Sequence, residues 1–294
     1  MANTVLTLTE LQQNFLAWIA NEVQHGRAKD RTLRYYRTWI DRFVAAAGRD
    51  RPITELLPLD LERCKRGWHS VQAVQRMFNW AVDMGILDNN PFRRIHKPPL
   101  GQRQRTLQPA ELVKLLRVCR RPLRDLLMTL RLTMARPQEV RQLRWSYYRE
   151  DLSAFLLSDF KAKARRKDSA MWRVLLVCPR LQRLLKRLRR QAPAGDGFVF
   201  LMQCGRPWTA NALRLAVRRA ARRAGLDVAG QEHVVAYTLR HTAATHATRN
   251  GVADRRLADL LGHTSTKTTA RYQHLQLEDL AQAHQQATQR RRRA

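Results

Sequence analysis

Acidic side chains are scarce in this chain of 294 residues: 24 Asp and Glu stand against 55 Lys and Arg, a formal charge of +31. That excess is far more than solubility needs and fits a polyanionic partner, nucleic acid first and an anionic membrane surface second. It is also uneven. Residues 1–100 hold 15 basic and 10 acidic side chains, which leaves 40 against 14 for the rest, so the C-terminal two-thirds carries the main polyanion-binding surface. Cysteine is sparse as well. Cys64, Cys119, Cys178 and Cys204 are widely spaced, with no C-x-x-C pair, which excludes a disulfide framework and a zinc knuckle. No signal peptide precedes them, so a reducing cytoplasm is the expected location. No apolar run approaches the roughly 20 residues of a membrane span, and a soluble protein is expected. There is no G-x-S-x-G elbow and no phosphate-cradling glycine-rich loop, which argues against an esterase-type hydrolase and against nucleotide hydrolysis. His241, His246, His263 and His274 contain no i, i+4 pair and have no accompanying thiolate or carboxylate. No metal and no cofactor is therefore expected.

What is present divides the chain. A hydrophobic content of 44% suffices for one large core or two moderate ones, and the length favours two domains. Leu8, Leu11, Phe15, Trp18 and Ile19 recur at helical spacing after a cap candidate, Thr9. Leu33, Tyr36, Ile40, Phe43 and Val44 repeat the pattern and stop at Gly48, and two further helices are expected around 60–66 and 71–84. The stretch "NNPFRRIHKPPLGQRQR" holds three prolines, a glycine and six basic residues counting His96, so it cannot continue a helix. The expected division is a helical domain over 1–92, a basic linker over 93–106 and a second domain over 107–294. In that second domain "PAELVKLLRVC" and "PLRDLLMTLRLTMARPQEVRQLRW" read as helices, while "AFLLSDF" and "MWRVLLV" read as short strands around a very basic turn. "GFVFL" reads as a third strand or a buried extended piece. Two basic amphipathic helices follow, the first with Leu181, Leu184, Leu185 and Leu188 as its buried stripe. The fold class is mostly α with a small antiparallel sheet (α+β).

The chemistry concentrates near the C-terminus, in "YTLRHTAATHATRNGV" and "LLGHTSTKTTARYQHL". Arginine, histidine and tyrosine together suit one task. Two guanidinium groups can make bidentate bonds to the nonbridging oxygens of a phosphodiester and stabilise the charge of a pentacoordinate phosphorane. A tyrosine hydroxyl can supply the nucleophile for a covalent intermediate, without a metal.

These residues resemble the tyrosine recombinases, or phage-type integrases, from about Leu8 to the C-terminus. In "TMARPQEVRQLRW", Arg136 looks like the first catalytic arginine of that family and Glu139 like the acidic residue that braces the site. In "YTLRHTAAT", Arg240 matches the second arginine. "LLGH" supplies His263, and Tyr272 follows it by nine positions within "ARYQHL". The family also uses a lysine on the turn between two strands. Lys161, Lys163 and Lys167 are the candidates, and Lys163 fits the usual position best. One position departs from the pattern: Tyr237 stands where the family usually has histidine. With an ordinary pKa of about 10, a phenol is a poor proton acceptor at neutral pH.

The resemblance implies that Tyr272 attacks a phosphate of double-stranded DNA while Arg136 and Arg240 bind its nonbridging oxygens, with a hydrogen bond from His263. Lys163 protonates the departing 5′-hydroxyl, and a 3′-phosphotyrosyl link results. It further implies a core-binding domain before the catalytic domain, a homotetramer on two DNA duplexes, and a C-terminal helix, "LEDLAQAHQQATQ", packed onto a neighbouring protomer. The role expected is site-specific recombination or integration for a phage or mobile element. A type IB topoisomerase and a catalytically impaired, recombinase-derived DNA-binding accessory protein are the alternatives.

Overall fold

The computed structural model describes residues 6–64, 67–101, 103–158, 172–192 and 195–263. The chain forms two compact units, Met1–Gln102 and Arg103–Ala294.

The first unit is helical: α1 (Leu8–Gln24), α2 (Asp30–Ala47), α3 (Pro58–Cys64) and α4 (Trp68–Asp83). The cap of α1 is Thr7, not Thr9. Thr7 lies three residues before Glu10, and the two form a reciprocal capping box, with Glu10 N–H donating to Thr7 Oγ1 (3.3 Å) and Thr7 N–H donating to the carboxylate (2.7 Å). Thr9 has Gln12 at that offset and instead donates its hydroxyl to the Arg49 carbonyl (2.8 Å). The apolar stripe of α1 buries Leu8, Leu11, Phe15 and Ile19. These pack with Phe43 of α2, Phe78 of α4 and Phe92 beyond it, and the last two rings meet edge to face at 4.7 Å. The described residues of the basic, proline-rich stretch form no helix, yet its beginning is fastened. Gln75 donates from one amide nitrogen to the carbonyls of Phe92 and Ile95, both at 2.8 Å.

The second unit contains α5 (Pro109–Val118), α6 (Arg121–Thr133), α7 (Pro137–Arg141), a small sheet, α8 (Pro179–Gln191), α9 (Ala210–Arg223), α10 (Ala236–Arg249) and α11 (Asp254–Leu261). Helix α6 lies centrally, packed on α7, α8, α9 and α10. The sheet is antiparallel in the order β1 (Tyr148–Arg149), β2 (Ala154–Leu157), β3 (Arg173–Leu176), with Phe155 opposite Leu175 and Leu157 opposite Arg173. Its third strand is therefore 148–149. The "GFVFL" segment is the buried extended piece: Phe198 makes a single bridge to Arg144 and Leu201 one to Pro207, with Val199 and Phe200 in the core. Along α8, Leu181 and Leu185 are buried, and Leu184 and Leu188 pack against the core at its margin. Among the described residues no helix is long and apolar enough to cross a membrane.

Candidate active site

Helix α6 ends at Met134, which adopts the left-handed conformation (φ 51°). A non-glycine residue there is strained, and such strain gathers where geometry is imposed by function. The turn starts α7 with Arg136 at its cap position. The Arg136 N–H donates to Glu139 Oε2 (2.9 Å), and its Nη1 pairs with Oε1 of the same carboxylate (2.7 Å). Glu139 is 6% exposed at its side chain. The two residues three apart thus form one rigid unit at a helix start, where an acidic side chain is also favoured by the helix dipole.

Arg240 projects from α10 and is the largest fully buried side chain of the described residues. Its Nη1 donates to the Met134 carbonyl (2.6 Å) and its Nη2 to the Leu261 carbonyl (2.8 Å). The same Nη2 lies 3.1 Å from His263 Nε2. A guanidinium has only donors, so this bond makes Nε2 the acceptor and leaves the imidazole proton on Nδ1. Among the described residues Arg240 Nε is buried with no hydrogen-bond partner. A buried donor left in this way costs stability unless an acceptor arrives.

His263 is placed by the end of α11. Gly262 turns left-handed (φ 64°), its N–H bonds to the Asp259 carbonyl (3.0 Å), and the His263 N–H bonds to the Ala258 carbonyl (2.9 Å), a Schellman ending. The carbonyls from Asp259 to Gly262 also face arginines. Asp259 and Leu260 accept from Arg173, Leu261 from Arg240, and Gly262 from Arg136 Nη2 (3.0 Å). Three cations thus satisfy the orphan carbonyls at the negative pole of one helix. Arg136, Glu139, Arg240 and His263, drawn from two regions over positions 136–263, are joined through this short segment.

The threonines of α10 hold the helix in place. Thr238, Thr242 and Thr245 are buried, and Thr242 Oγ1 donates to the Thr238 carbonyl while accepting the N–H of Leu107, which ties α10 to the segment leading into α5. His241 is buried beside them. His246 is held below the usual imidazole value by burial and by Arg131 and Arg249. Among the described residues no three His, Cys, Asp or Glu side chains are grouped as a metal site. Tyr237 is 42% exposed, one turn before Arg240 on α10, with its ring centroid 5.9 Å from the guanidinium carbon. Lys163, with Lys161 and Lys167, and Tyr272 lie outside the described residues, as do His274 and the C-terminal segment. The cleft of about 410 Å³ lined by Trp145, Glu150, Lys186 and Asp196 includes none of the site residues. Two contributors were not singled out by the sequence reading: Met134, which lies inside the first motif box, and Arg173, which lies outside all of them. The second had no signal beyond a basic residue in an apolar strand.

The fold and the motifs have counterparts. The described fold is similar to that of a lambda integrase tetramer bound to a Holliday junction (TM-score 0.73, 15% identity, covering 92% of this chain and 78% of that one). It is also similar to that of the Tn1549 transposon integrase in complex with transposon right-end DNA (TM-score 0.70, 17% identity, covering 96% of this chain and 99% of that one). In sequence, the tyrosine recombinase XerC of Azotobacter vinelandii is 39% identical over 106 residues, which are 36% of this chain and 34% of that protein. The chain thus matches only about a third of the length of such relatives at that level. XerC of Xylella fastidiosa strain M23 aligns over 97% of this chain and 99% of its own length at 27% identity. The phage integrase family model matches residues 105–279, more than half of the chain and all of the motif-bearing part, and the chain belongs to that family of tyrosine recombinases.

Proposed function

We propose that this protein is a site-specific DNA recombinase that breaks and rejoins duplex DNA through a 3′-phosphotyrosyl intermediate, in the service of a phage or other mobile element. The observation that carries this reading is the convergence of Arg136, Arg240 and His263 on one segment, with a buried Arg240 Nε lacking a partner among the described residues. A phosphate oxygen is the acceptor that such a donor set suits, since planar guanidinium groups bind oxyanions bidentately and with charge assistance.

In the reaction, Arg136 and Arg240 hold the nonbridging oxygens and gain in strength as negative charge builds in the phosphorane. His263 supports the same oxygens. A phosphate oxygen competes with His263 Nε2 for the Arg240 Nη2 proton, and the imidazole N–H donates to the phosphate. Tyr272 attacks phosphorus, the bond to the 5′-oxygen breaks, and Lys163 delivers a proton to that oxygen. The phosphotyrosyl link keeps the bond energy for a second 5′-hydroxyl, so no ATP is needed. A tetramer on two duplexes, a nucleoid-associated cytoplasmic location and a DNA-clamping role for residues 1–92 belong to the same proposal. The assembly finds support in the lambda integrase tetramer on a Holliday junction.

The accessory-protein alternative rests on Tyr237. The deciding experiment is covalent trapping on nicked DNA carrying a site that the protein binds, comparing the wild type with Tyr272→Phe on a denaturing gel. An adduct in the wild type alone supports the recombinase reading. Binding without an adduct in either supports the accessory protein, and relaxation of supercoils by a monomer supports the topoisomerase.

A further inference from the structure

Arg173 is the first residue of β3 and points inward, 3% exposed at its side chain. Its Nη1 donates to the Asp259 and Val174 carbonyls (both 3.2 Å), and its Nη2 donates to the Leu260 carbonyl (2.6 Å). On the other side its Nε lies 3.9 Å from Glu139 Oε2, the oxygen that accepts the Arg136 N–H. The fit is tight. A Cβ on Gly262 would stand 2.7 Å from Arg173 Nε and 2.9 Å from Cζ, so glycine is required there by the arginine as well as by its positive φ. An inward position on a strand is ordinarily filled by an apolar side chain, and burying a cation there is costly unless its partners are worth the cost. Here, beside its own neighbour Val174, it meets Asp259, Leu260 and Glu139, which lie in the two segments that carry His263 and Arg136.

We propose that Arg173 is a positioning residue: it locks the Leu260–His263 segment against the Glu139–Arg136 pair, and so sets the distance between the two groups that hold the phosphate. This rests on the recombinase reading above. Loss of Arg173 should therefore leave DNA affinity intact and slow the chemical step, because a displacement of about 1 Å in such a constellation can cost about 100-fold in rate.

The test uses the full chain with Arg173→Met, Arg173→Lys and Gly262→Ala. Three quantities are read: affinity for a nicked DNA site that the wild type binds, the rate of adduct formation at saturating DNA, and amide hydrogen exchange. The expected result for Arg173→Met is an adduct rate about 100-fold lower at unchanged affinity. Arg173→Lys should restore part of that rate. Exchange should quicken at residues 260–263, with protection elsewhere kept. A bridging sulfur in place of the 5′-oxygen, which leaves without a proton, should not rescue the variant, since the defect lies at the nonbridging oxygens. A folded Arg173→Met protein with the wild-type rate, or full rescue by sulfur, overturns the proposal. If Arg173→Met does not fold, Gly262→Ala takes its place, because it crowds the guanidinium without removing it; wild-type rate there also overturns the proposal. If the wild type forms no adduct, the recombinase reading fails, and exchange at 260–263 decides for Arg173 alone, unchanged protection counting against it.

Discussion

Arg240 Nη2 and His263 Nε2 stand 3.1 Å apart, with the arginine fully buried and the histidine 9% exposed. Both are side chains that usually seek water. The same guanidinium spans the Met134 and Leu261 carbonyls, so the fixed fork of an arginine is used on three acceptors at once. Arg240→Lys keeps the charge but replaces the fixed fork by one nitrogen, which cannot reproduce the separate Nη1 and Nη2 bonds in their present geometry. The expected outcome is a loss of about 1–3 kcal/mol in urea unfolding, together with an adduct rate lower by about 100- to 1,000-fold. A lysine variant that unfolds earlier yet cleaves at the wild-type rate would place Arg240 in the scaffold and outside the chemistry.

Tyr237 tests the departure from the family pattern. Its ring is 42% exposed and stands 5.9 Å from the Arg240 guanidinium. A phenol can donate a hydrogen bond there, whereas the imidazole usual in the family can also accept a proton. Tyr237→His should raise the cleavage rate at pH 7–8, by up to the roughly 100-fold at the lower end of general-base catalysis. Tyr237→Phe should change it little. If Phe abolishes cleavage, the hydroxyl is itself a working part of the site.

The charge excess gives a prediction of a different kind. Each phosphate neutralised by a Lys or Arg releases condensed counterions, so the logarithm of the DNA association constant should fall with that of salt at about 0.9 per phosphate contact. Fluorescence anisotropy between 50 and 200 mM salt reads the slope directly. A slope near zero would contradict a phosphate-tracking surface on a chain of formal charge +31.

Much of this architecture was legible in the sequence for definite reasons. The stripes of α1, α2 and α8 pair apolar residues with charged ones at helical spacing, and Leu11, Phe15, Phe43, Leu181 and Leu185 are buried as that spacing requires. The motif boxes were read from their resemblance to the family, and the fold gives a physical reason for two of their spacings: Arg136 and Glu139 share a helix start, and Gly262 ends α11 in the left-handed conformation. Arg173 could not be read. An arginine in a strand registers as an outward residue, and only the approach of α11 shows that it faces the core. The cap of α1 was misplaced for a local reason: Thr7 and Thr9 are both plausible caps, and Glu10 decides between them. The strand at 148–149 is two residues long and carries no alternation to detect, while the 198–200 segment has the composition of a strand and only a single bridge, Phe198 to Arg144.

Cys119 offers a test independent of DNA. It lies at the C-terminal end of α5, 2% exposed, with its thiol donating to the Leu115 carbonyl (3.1 Å). Burial pushes the thiol up from an ordinary value near 9 to about 11, against the opposing pull of Arg124 and Arg223. At pH 8 the folded protein therefore holds Cys119 as an unreactive thiol, while the exposed Cys204 is open to reagent. Iodoacetamide should label Cys204 first and reach Cys119 only on unfolding, as mass spectrometry of the labelled peptides would show. The linkage has a definite sign. Between about pH 9 and pH 11 the unfolded chain gives up this proton and the folded chain keeps it, so ionisation draws the equilibrium toward the unfolded state. The contribution of the thiol is complete below pH 9 and is lost as pH rises toward 11. Cys119→Ala should be less stable throughout, because it leaves a small void, yet should lose less stability over that interval than the wild type. Parallel loss in the two proteins, read from urea midpoints at successive pH values, would show that the thiol ionises as freely in the folded chain as in the unfolded one.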